Sequence, residues 1–143
     1  MIQHVRLLLD LRHLLLQRVD VRLILPQMAD HKLPWLSSFT YYPKLREAGV
    51  KVWRYQPGFM HQKVLLADDD ISIVGSINLD YRSFMLNFEL SAAIQDRKFA
   101  ADVEHMFLAD FDRCRPENLF AFEKGSLLFR LKCRLAALMS PEQ

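Results

Sequence analysis

The chain has 143 residues, of which half are apolar and a quarter are charged, so it is long enough for one domain with its own core and too short for two. Its formal net charge of +2 points to no partner. Cys114 and Cys133 are not spaced as zinc ligands, and we expect free thiols in a reducing compartment. No apolar run reaches the about 18 residues that span a bilayer. The charged residues near the start argue against a signal peptide.

Hydrophobic periodicity predicts strands that alternate with helices. In the first part of the chain we predict a helix over 2–18, a strand over 19–25 that ends at Pro26, and a loop over 26–36. A helix over 39–48 follows, capped by Ser37 or Ser38 and closed by Gly49. We then predict a strand over 50–55, a hairpin of 63–68 and 71–76, a strand over 88–94, and helices over 96–113 and about 123–139. This order indicates an α/β fold, in which helices flank a mixed β-sheet and the strands that carry the motif are buried in the middle.

The residues suited to chemistry lie in 59–89, FMHQKVLLADDDISIVGSINLDYRSFMLNFE. Side chains two apart in a strand point to the same side, so we expect His61 and Lys63 to share a face. An imidazole beside a fixed cation suits an anionic substrate such as a phosphate. Glu89 is a carboxylate at the start of an apolar strand and therefore needs a partner. A histidine, whose tautomer and basicity the carboxylate would set, is the available partner.

Small and neutral residues complete the pattern. Gly75 lets a backbone come close to a ligand, while Ser76 and Asn78 supply neutral hydrogen bonds to oxygen. We therefore expect a phosphoryl site made of one cation and several dipoles, with no metal and no other cofactor. Taken singly, these residues have structural explanations: a Gly-Ser pair is usually a turn, and Asn78 would cap the next segment. The string His-x-Lys-x4-Asp-x6-Gly-Ser-x-Asn, which fixes six residues at set gaps, favours the functional interpretation.

This string resembles the HKD motif of the phospholipase D superfamily. The segments PGFMHQK, GSINLDYRS and LNFEL, together with AGVKVWRYQPG and LILPQMADHK upstream, resemble the second HKD motif in the C-terminal half of bacterial cardiolipin synthases. The resemblance runs from Val19 to Gln95. It implies a phospholipase D-like α/β half over 1–118, followed by a basic amphipathic C-terminal helix over 119–143.

The resemblance also implies a mechanism. It makes the protein a phosphatidyltransferase of cardiolipin biosynthesis that acts through a phosphohistidine intermediate. His61 would be the nucleophile or the general acid–base, and Lys63 a catalytic cation that binds phosphate. Asp68 belongs to the same catalytic motif, where it is better interpreted as a structural hydrogen-bonding residue than as an acid.

The remaining roles concern the phosphate and the substrate. By the resemblance, Ser76 and Asn78 bind phosphate and Glu89 orients the histidine, without a metal. The implied substrate is a phospholipid similar to phosphatidylglycerol. One such lipid would donate its phosphatidyl group to the glycerol end of another and release glycerol.

The chain departs from those synthases because it has one HKD motif and no membrane segment, whereas they have two motifs preceded by membrane segments. Two explanations are open. Two copies would pair about a two-fold axis, as in single-motif nucleases of the superfamily, giving a homodimeric phosphodiesterase or nuclease. Alternatively, the chain is separated from a missing N-terminal half, or is a truncated inactive remnant; its start at Met1 within a helix favours truncation. The absence of a basic–aromatic stripe disfavours nucleic acid as a partner.

The C-terminal segment bears on membrane binding. Basic residues are frequent over 113–134, and four leucines fall on one helical face: Leu128, Leu131, Leu135 and Leu138. Such a helix would lie in the headgroup layer of anionic lipid. The alternative is that the leucines pack on the domain and the cations face solvent. Resemblance to a lipid-handling family implies an anionic membrane surface as partner and a peripheral location at the cytoplasmic membrane.

Overall fold

The computed structural model describes residues 19–27, 32–56, 58, 60–76 and 88–139. Its helices are α1 (Lys32–Ser38), α2 (Tyr42–Glu47), α3 (Arg97–Phe111), α4 (Ala121–Lys124) and α5 (Leu127–Met139), with a 3-10 turn at Phe39–Tyr41. Its strands are β1 (Arg22–Pro26), β2 (Lys51–Tyr55), β3 (Val64–Ala67), β4 (Ile71–Gly75), β5 (Ser91–Gln95) and β6 (Cys114–Pro116). The predicted α/β class is confirmed, whereas the helix predicted over 2–18 lies outside the described residues.

The strands of this part of the chain form two sheets of three strands each. In the first, β2 is central, parallel to β1 and antiparallel to β6, with Ile24 opposite Trp53. In the second, β3, β4 and β5 form an antiparallel meander in which Leu65 lies opposite Ile73, and Ile73 opposite Ala93. The mixed pairing and the β3–β4 hairpin agree with the prediction, but the division into two sheets was not predicted.

The loop predicted over 26–36 is wrong in its second part, because α1 begins at Lys32. Pro34 lies in the first turn of that helix, where a missing backbone N–H costs no helical hydrogen bond. The predicted serine cap is also wrong. Ser37 and Ser38 end α1 instead, and their hydroxyls donate to backbone carbonyls three residues earlier, at 2.9 and 2.7 Å.

Other helix boundaries follow local signals. Gly49 has a φ of 65° directly after α2, as the predicted closure requires. The C-terminal helix predicted over about 123–139 is divided instead, because α4 ends before Gly125. A Cβ at Gly125 would lie 2.5 Å from a ring carbon of Phe129, so a side chain there would displace that ring. Ser126 then caps α5 by accepting a hydrogen bond from the Phe129 N–H at 3.2 Å.

The core of the described chain has two clusters of buried residues. The helical cluster is formed by Phe39, Tyr42, Phe122 and Cys133. The cluster on the first sheet is formed by Ala48, Val50 and Val52. Both cysteines are free thiols, as predicted, and burial raises the pKa of each.

A buried polar group lies beside the helical cluster. Arg54 is only 6% exposed and donates to Glu117 Oε2 at 2.6 Å, to the Pro26 carbonyl at 3.0 Å and to the Tyr42 hydroxyl. The Tyr42 hydroxyl in turn donates to the same Glu117 oxygen at 2.9 Å. Burial raises the pKa of Tyr42 well above its ordinary value. The charges of this group are therefore paired with one another inside the fold.

The second sheet carries the candidate site and has two different faces. Helix α3 packs on β4, where Ser72 is fully buried and Ala100 and Val103 are the buried helix residues. Leu65 and Ile71, on the other face, are 51% and 39% exposed. The expectation that the strands carrying the motif are buried in the middle is therefore wrong for this face of β3 and β4.

Candidate active site

The β3–β4 hairpin determines where the predicted site residues lie. His61 and Lys63 precede β3, Gly75 ends β4 and Ser76 follows it, so all four lie at the open end of the hairpin. The Gly75 N–H donates to the Lys63 carbonyl at 3.1 Å and joins the two sides. Because β3 begins only at Val64, His61 and Lys63 are not in a strand, and the prediction that they share a strand face is wrong.

The Lys63 ammonium contacts the backbone of His61 at this end. The His61 side chain is exposed and Lys63 is half-buried. The Lys63 Nζ donates to the His61 carbonyl at 2.9 Å, which holds the ammonium beside the histidine backbone. An ammonium carries three donors, so this contact does not use up its capacity to bind an anion.

Ser76 links the end of β4 to Glu89. Its hydroxyl donates to Glu89 Oε2 at 2.5 Å and accepts from the Leu90 N–H at 3.1 Å, while its own N–H donates to the Leu90 carbonyl at 2.9 Å. The strand predicted over 88–94 therefore begins later, at Ser91, and Glu89 precedes it. Ser76 is thus a hydrogen-bonded partner of Glu89, and the histidine that was predicted as its partner stays a prediction.

Gly75 is required by the close approach of two strands. A Cβ there would lie 2.1 Å from Ser91 Oγ and 2.5 Å from the Leu90 carbonyl oxygen. Any side chain would push the start of β5 away from β4. Glycine was predicted to allow close approach to a ligand. In the structure it allows β5 to approach, which brings Glu89 within reach of Ser76.

Asp68 lies at the opposite end of the hairpin, in the turn between β3 and β4. Its φ of 52° is left-handed, a conformation that aspartate tolerates better than most residues. The length of β3 separates it from His61, so the structure does not bring these two motif residues together. Its carboxylate makes no hydrogen bond to another described residue. It borders a cleft that Arg97 and Glu104 also line.

Three expectations, on Asn78, on metal binding and on membrane-spanning helices, can be compared only with the described residues. Asn78, the last residue of the motif string, lies outside it. Among the residues that the structure describes, no group of three or more His, Cys, Asp or Glu could hold a metal ion. None of the helices described here is long and apolar enough to cross a membrane.

Two apolar residues beside the site were missed in the sequence. Phe88 is fully exposed and Leu90 is 81% exposed, on either side of Glu89 in the chain. The signal was present in the string Phe-Glu-Leu, which was assigned to a strand and therefore to the core. Because β5 starts only at Ser91, both side chains remain at the surface next to the Ser76–Glu89 contact.

A model of the family described as "Cardiolipin synthase, PLD-like domain" matches residues 1–111. The chain belongs to this family. Among curated relatives, this PLD-like domain is 46% identical to cardiolipin synthase A of Pseudomonas putida strain GB-1 and 47% identical to that of Pseudomonas fluorescens strain Pf-5. Each match covers 131 residues, which is 92% of this chain and 27% of the relative, so the chain spans about a quarter of their length.

The fold has a relative among solved structures. Nuc, a phospholipase D family member from Salmonella typhimurium, superposes with a TM-score of 0.67 over 78% of this chain and 72% of that chain. At 17% identity this likeness shows the fold alone. The sequence-based assignment to the phospholipase D superfamily, with homology to cardiolipin synthase, is confirmed.

Proposed function

We propose that this PLD-like domain supplies one HKD motif of a phosphatidyltransferase site, and that a second HKD motif completes the site. The substrate class is a phospholipid similar to phosphatidylglycerol. The 46% identity to a cardiolipin synthase A supports the substrate class. The observation that carries the proposal is the grouping of Lys63, Ser76 and Glu89 with His61 around the open end of the hairpin.

The proposed reaction exchanges one phosphate ester for another. His61 attacks the phosphorus of phosphatidylglycerol, and a P–N bond forms as the P–O bond to glycerol breaks. The histidine of the second motif gives its proton to the leaving glycerol oxygen. That histidine then takes the proton of the acceptor hydroxyl, whose oxygen displaces His61 and yields cardiolipin. The two histidines exchange these roles if His61 is the acid–base group.

The other motif residues act on the phosphate or on the histidine. Lys63 donates to the phosphoryl oxygens where negative charge develops, and Ser76 and Asn78 add neutral donors. Glu89, hydrogen-bonded to Ser76, orients the histidine and stabilises its charged form. Asp68 has a structural role in the hairpin turn.

The setting of the reaction is part of the proposal. Residues 1–118 form the PLD-like domain, and 119–143 form a C-terminal segment that faces an anionic membrane from the cytoplasmic side. Phe88 and Leu90 offer exposed apolar surface to acyl chains next to the site. The second motif comes from a second copy of the chain or from the rest of a longer synthase.

A second candidate is a homodimeric single-motif phosphodiesterase. It needs only the one HKD motif that each copy of this chain carries, and the phospholipase D fold that the superposition with Nuc shows. Sedimentation velocity of the chain alone, combined with a chromogenic phosphodiester assay, tests it. Hydrolysis by a dimer that forms no cardiolipin supports this candidate, and a strict monomer contradicts it.

The main test avoids the question of oligomeric state. The segment of Pseudomonas putida cardiolipin synthase A that this chain matches is replaced by this chain, so that the first motif is always present. The chimera is incubated with phosphatidylglycerol vesicles, and cardiolipin and glycerol are measured. We expect both products, and we expect His61→Ala to lower the rate by more than about a thousandfold, as removal of a nucleophile does in other enzymes.

The chain provides a matched control in His105, an exposed histidine of α3 that lies outside the HKD motif. We expect His105→Ala to keep the activity of the chimera. Equal rates for His61→Ala and His105→Ala would remove His61 from the mechanism. A folded chimera that makes no cardiolipin would identify the chain as an inactive remnant.

A further inference from the structure

The C-terminal helix α5 has an inner face that packs on the domain. Cys133 and Ala136 are buried, at 0% and 1% exposure. Phe129 packs against Phe39, with ring centroids 5.3 Å apart and an edge-to-face geometry. These residues hold α5 against α1 and the 3-10 turn. The helix therefore has a fixed orientation, and its opposite side is turned away from the core.

That opposite side carries the leucines. Six large apolar residues of α5 are between 50% and 82% exposed: Leu127, Leu128, Leu131, Leu135, Leu138 and Met139. At 3.6 residues per turn they form one continuous stripe, which we call the outer leucine face, opposite Cys133 and Ala136. The interpretation in which the leucine stripe packs on the domain is therefore wrong. A contiguous exposed apolar patch of this kind marks an interaction surface.

Cations border the outer leucine face on both sides. By helical geometry, Lys132 lies at one edge of the face, while Arg134 and then Arg130 follow the other edge. The helix contains no Asp or Glu. Long basic side chains can lay their stems along an apolar surface and keep their charges at its rim. The rim therefore has one sign of charge around an apolar centre.

We infer that the outer leucine face of α5 docks on an anionic phospholipid surface. An apolar stripe with a cationic rim fits a helix that lies in the plane of the headgroups, with leucines in the acyl boundary and cations at the phosphates. A second protein is a poorer fit, since no carboxylate of α5 is present to pair with a partner's cations. The inference rests on the membrane setting of the proposed function and names the surface that binds, but it is independent of the proposed reaction, because binding requires no turnover.

The test measures binding of the full chain to vesicles by co-sedimentation. Vesicles of phosphatidylserine in phosphatidylcholine are compared with vesicles of phosphatidylcholine alone, so that no proposed phosphatidyl donor is present. We expect the chain to bind the anionic vesicles and to be released as salt is raised. We expect His61→Ala to bind as the wild type does, which separates this result from failure of the proposed function.

Matched variants locate the surface. Leu135 and Leu108 are each 50% exposed, on α5 and α3 respectively. We expect Leu135→Ser to weaken binding about tenfold and Leu108→Ser to leave it unchanged. For charge, we expect Lys132→Gln to weaken binding about fivefold, and Lys98→Gln, which changes an exposed lysine of α3, to have no effect. Circular dichroism checks that each variant is folded.

Three results would overturn the inference. One is equal binding to neutral and anionic vesicles. Another is equal binding by Leu135→Ser and Leu108→Ser, or by Lys132→Gln and Lys98→Gln. The third is a wild-type dimer that Leu135→Ser converts to monomer without any vesicle binding by the wild type, because a second copy would then cover the face.

Discussion

Two carboxylates organise polar side chains in this molecule, and their surroundings differ. Around Glu117, the side chains of Arg54 and Tyr42 are buried and bond to the carboxylate and to each other. Around Glu89, the serine partner Ser76 is exposed. The first group satisfies its charges inside the fold, so that removal of one partner leaves the other buried and unpaired. The second keeps its polar groups at the surface, where a ligand can reach them.

The largest expected effect comes from breaking the buried group. Arg54→Met removes the cation from Glu117 and Tyr42 and leaves a carboxylate with little solvent, since the Glu117 side chain is only 16% exposed. We expect the free energy of unfolding to fall by about 3–5 kcal/mol, measured by urea denaturation. The double variant Arg54→Met/Glu117→Gln, which removes both charges, should recover much of the loss. Additive losses would show that the two side chains are not coupled.

The second effect tests the strand approach that forms the candidate site. Gly75→Ala places a methyl group against Ser91 Oγ and the Leu90 carbonyl oxygen. We expect a loss of about 1–3 kcal/mol, as in other overpacked sites. Adding Ser91→Ala removes only the side-chain clash, so recovery should be partial. Full recovery of stability would mean that the added methyl group does not clash with the Leu90 carbonyl oxygen, and that Gly75 does not determine the position of β5.

Local patterns predicted the parts of the fold that local interactions decide. The β3–β4 hairpin, α3 and the left-handed Gly49 all follow from short-range signals. The start of α1 could not be predicted, because a proline was taken as a loop signal although it is tolerated in a first turn. The delayed start of β5 depends on Ser76, fourteen residues earlier than Leu90. No periodicity encodes such a contact.

The polar groups around Glu89 and Glu117 also differ in whether a short sequence pattern predicts them. The grouping of Lys63, Gly75 and Ser76 could be predicted because their gaps match a known motif that lies on one hairpin. Arg54 and Glu117 are 63 residues apart, and each alone looks like an ordinary surface charge. Their pairing depends on β6 returning antiparallel to β2, which no short pattern specifies.

A third test uses pH to detect the buried group. Burial raises the pKa of Tyr42 above its ordinary 10.0, so the folded chain keeps this proton when the unfolded chain has lost it. The stabilising effect is complete below pH 10 and is lost as the pH rises toward the folded-state pKa. We expect the urea midpoint to fall with increasing pH above 10. Tyr42→Phe should reduce this slope without abolishing it, because burial also raises the pKa of Tyr41, Cys114 and Cys133.

The smallest effect on stability is expected from Glu89→Gln, and comparison with Glu117→Gln is the sharpest test of the difference between the two groups. Glu89→Gln keeps a hydrogen-bond acceptor for the exposed Ser76 and removes no apolar contact, so stability should change by no more than about 0.5 kcal/mol. In the cardiolipin synthase chimera the same change should lower the rate, because the orienting charge is lost. Glu117→Gln should do the reverse, lowering the urea midpoint while the folded fraction keeps its activity. If Glu89→Gln lowers stability as much as Glu117→Gln does and leaves the rate unchanged, then Glu89 is a second structural carboxylate, and the distinction between the two groups is wrong.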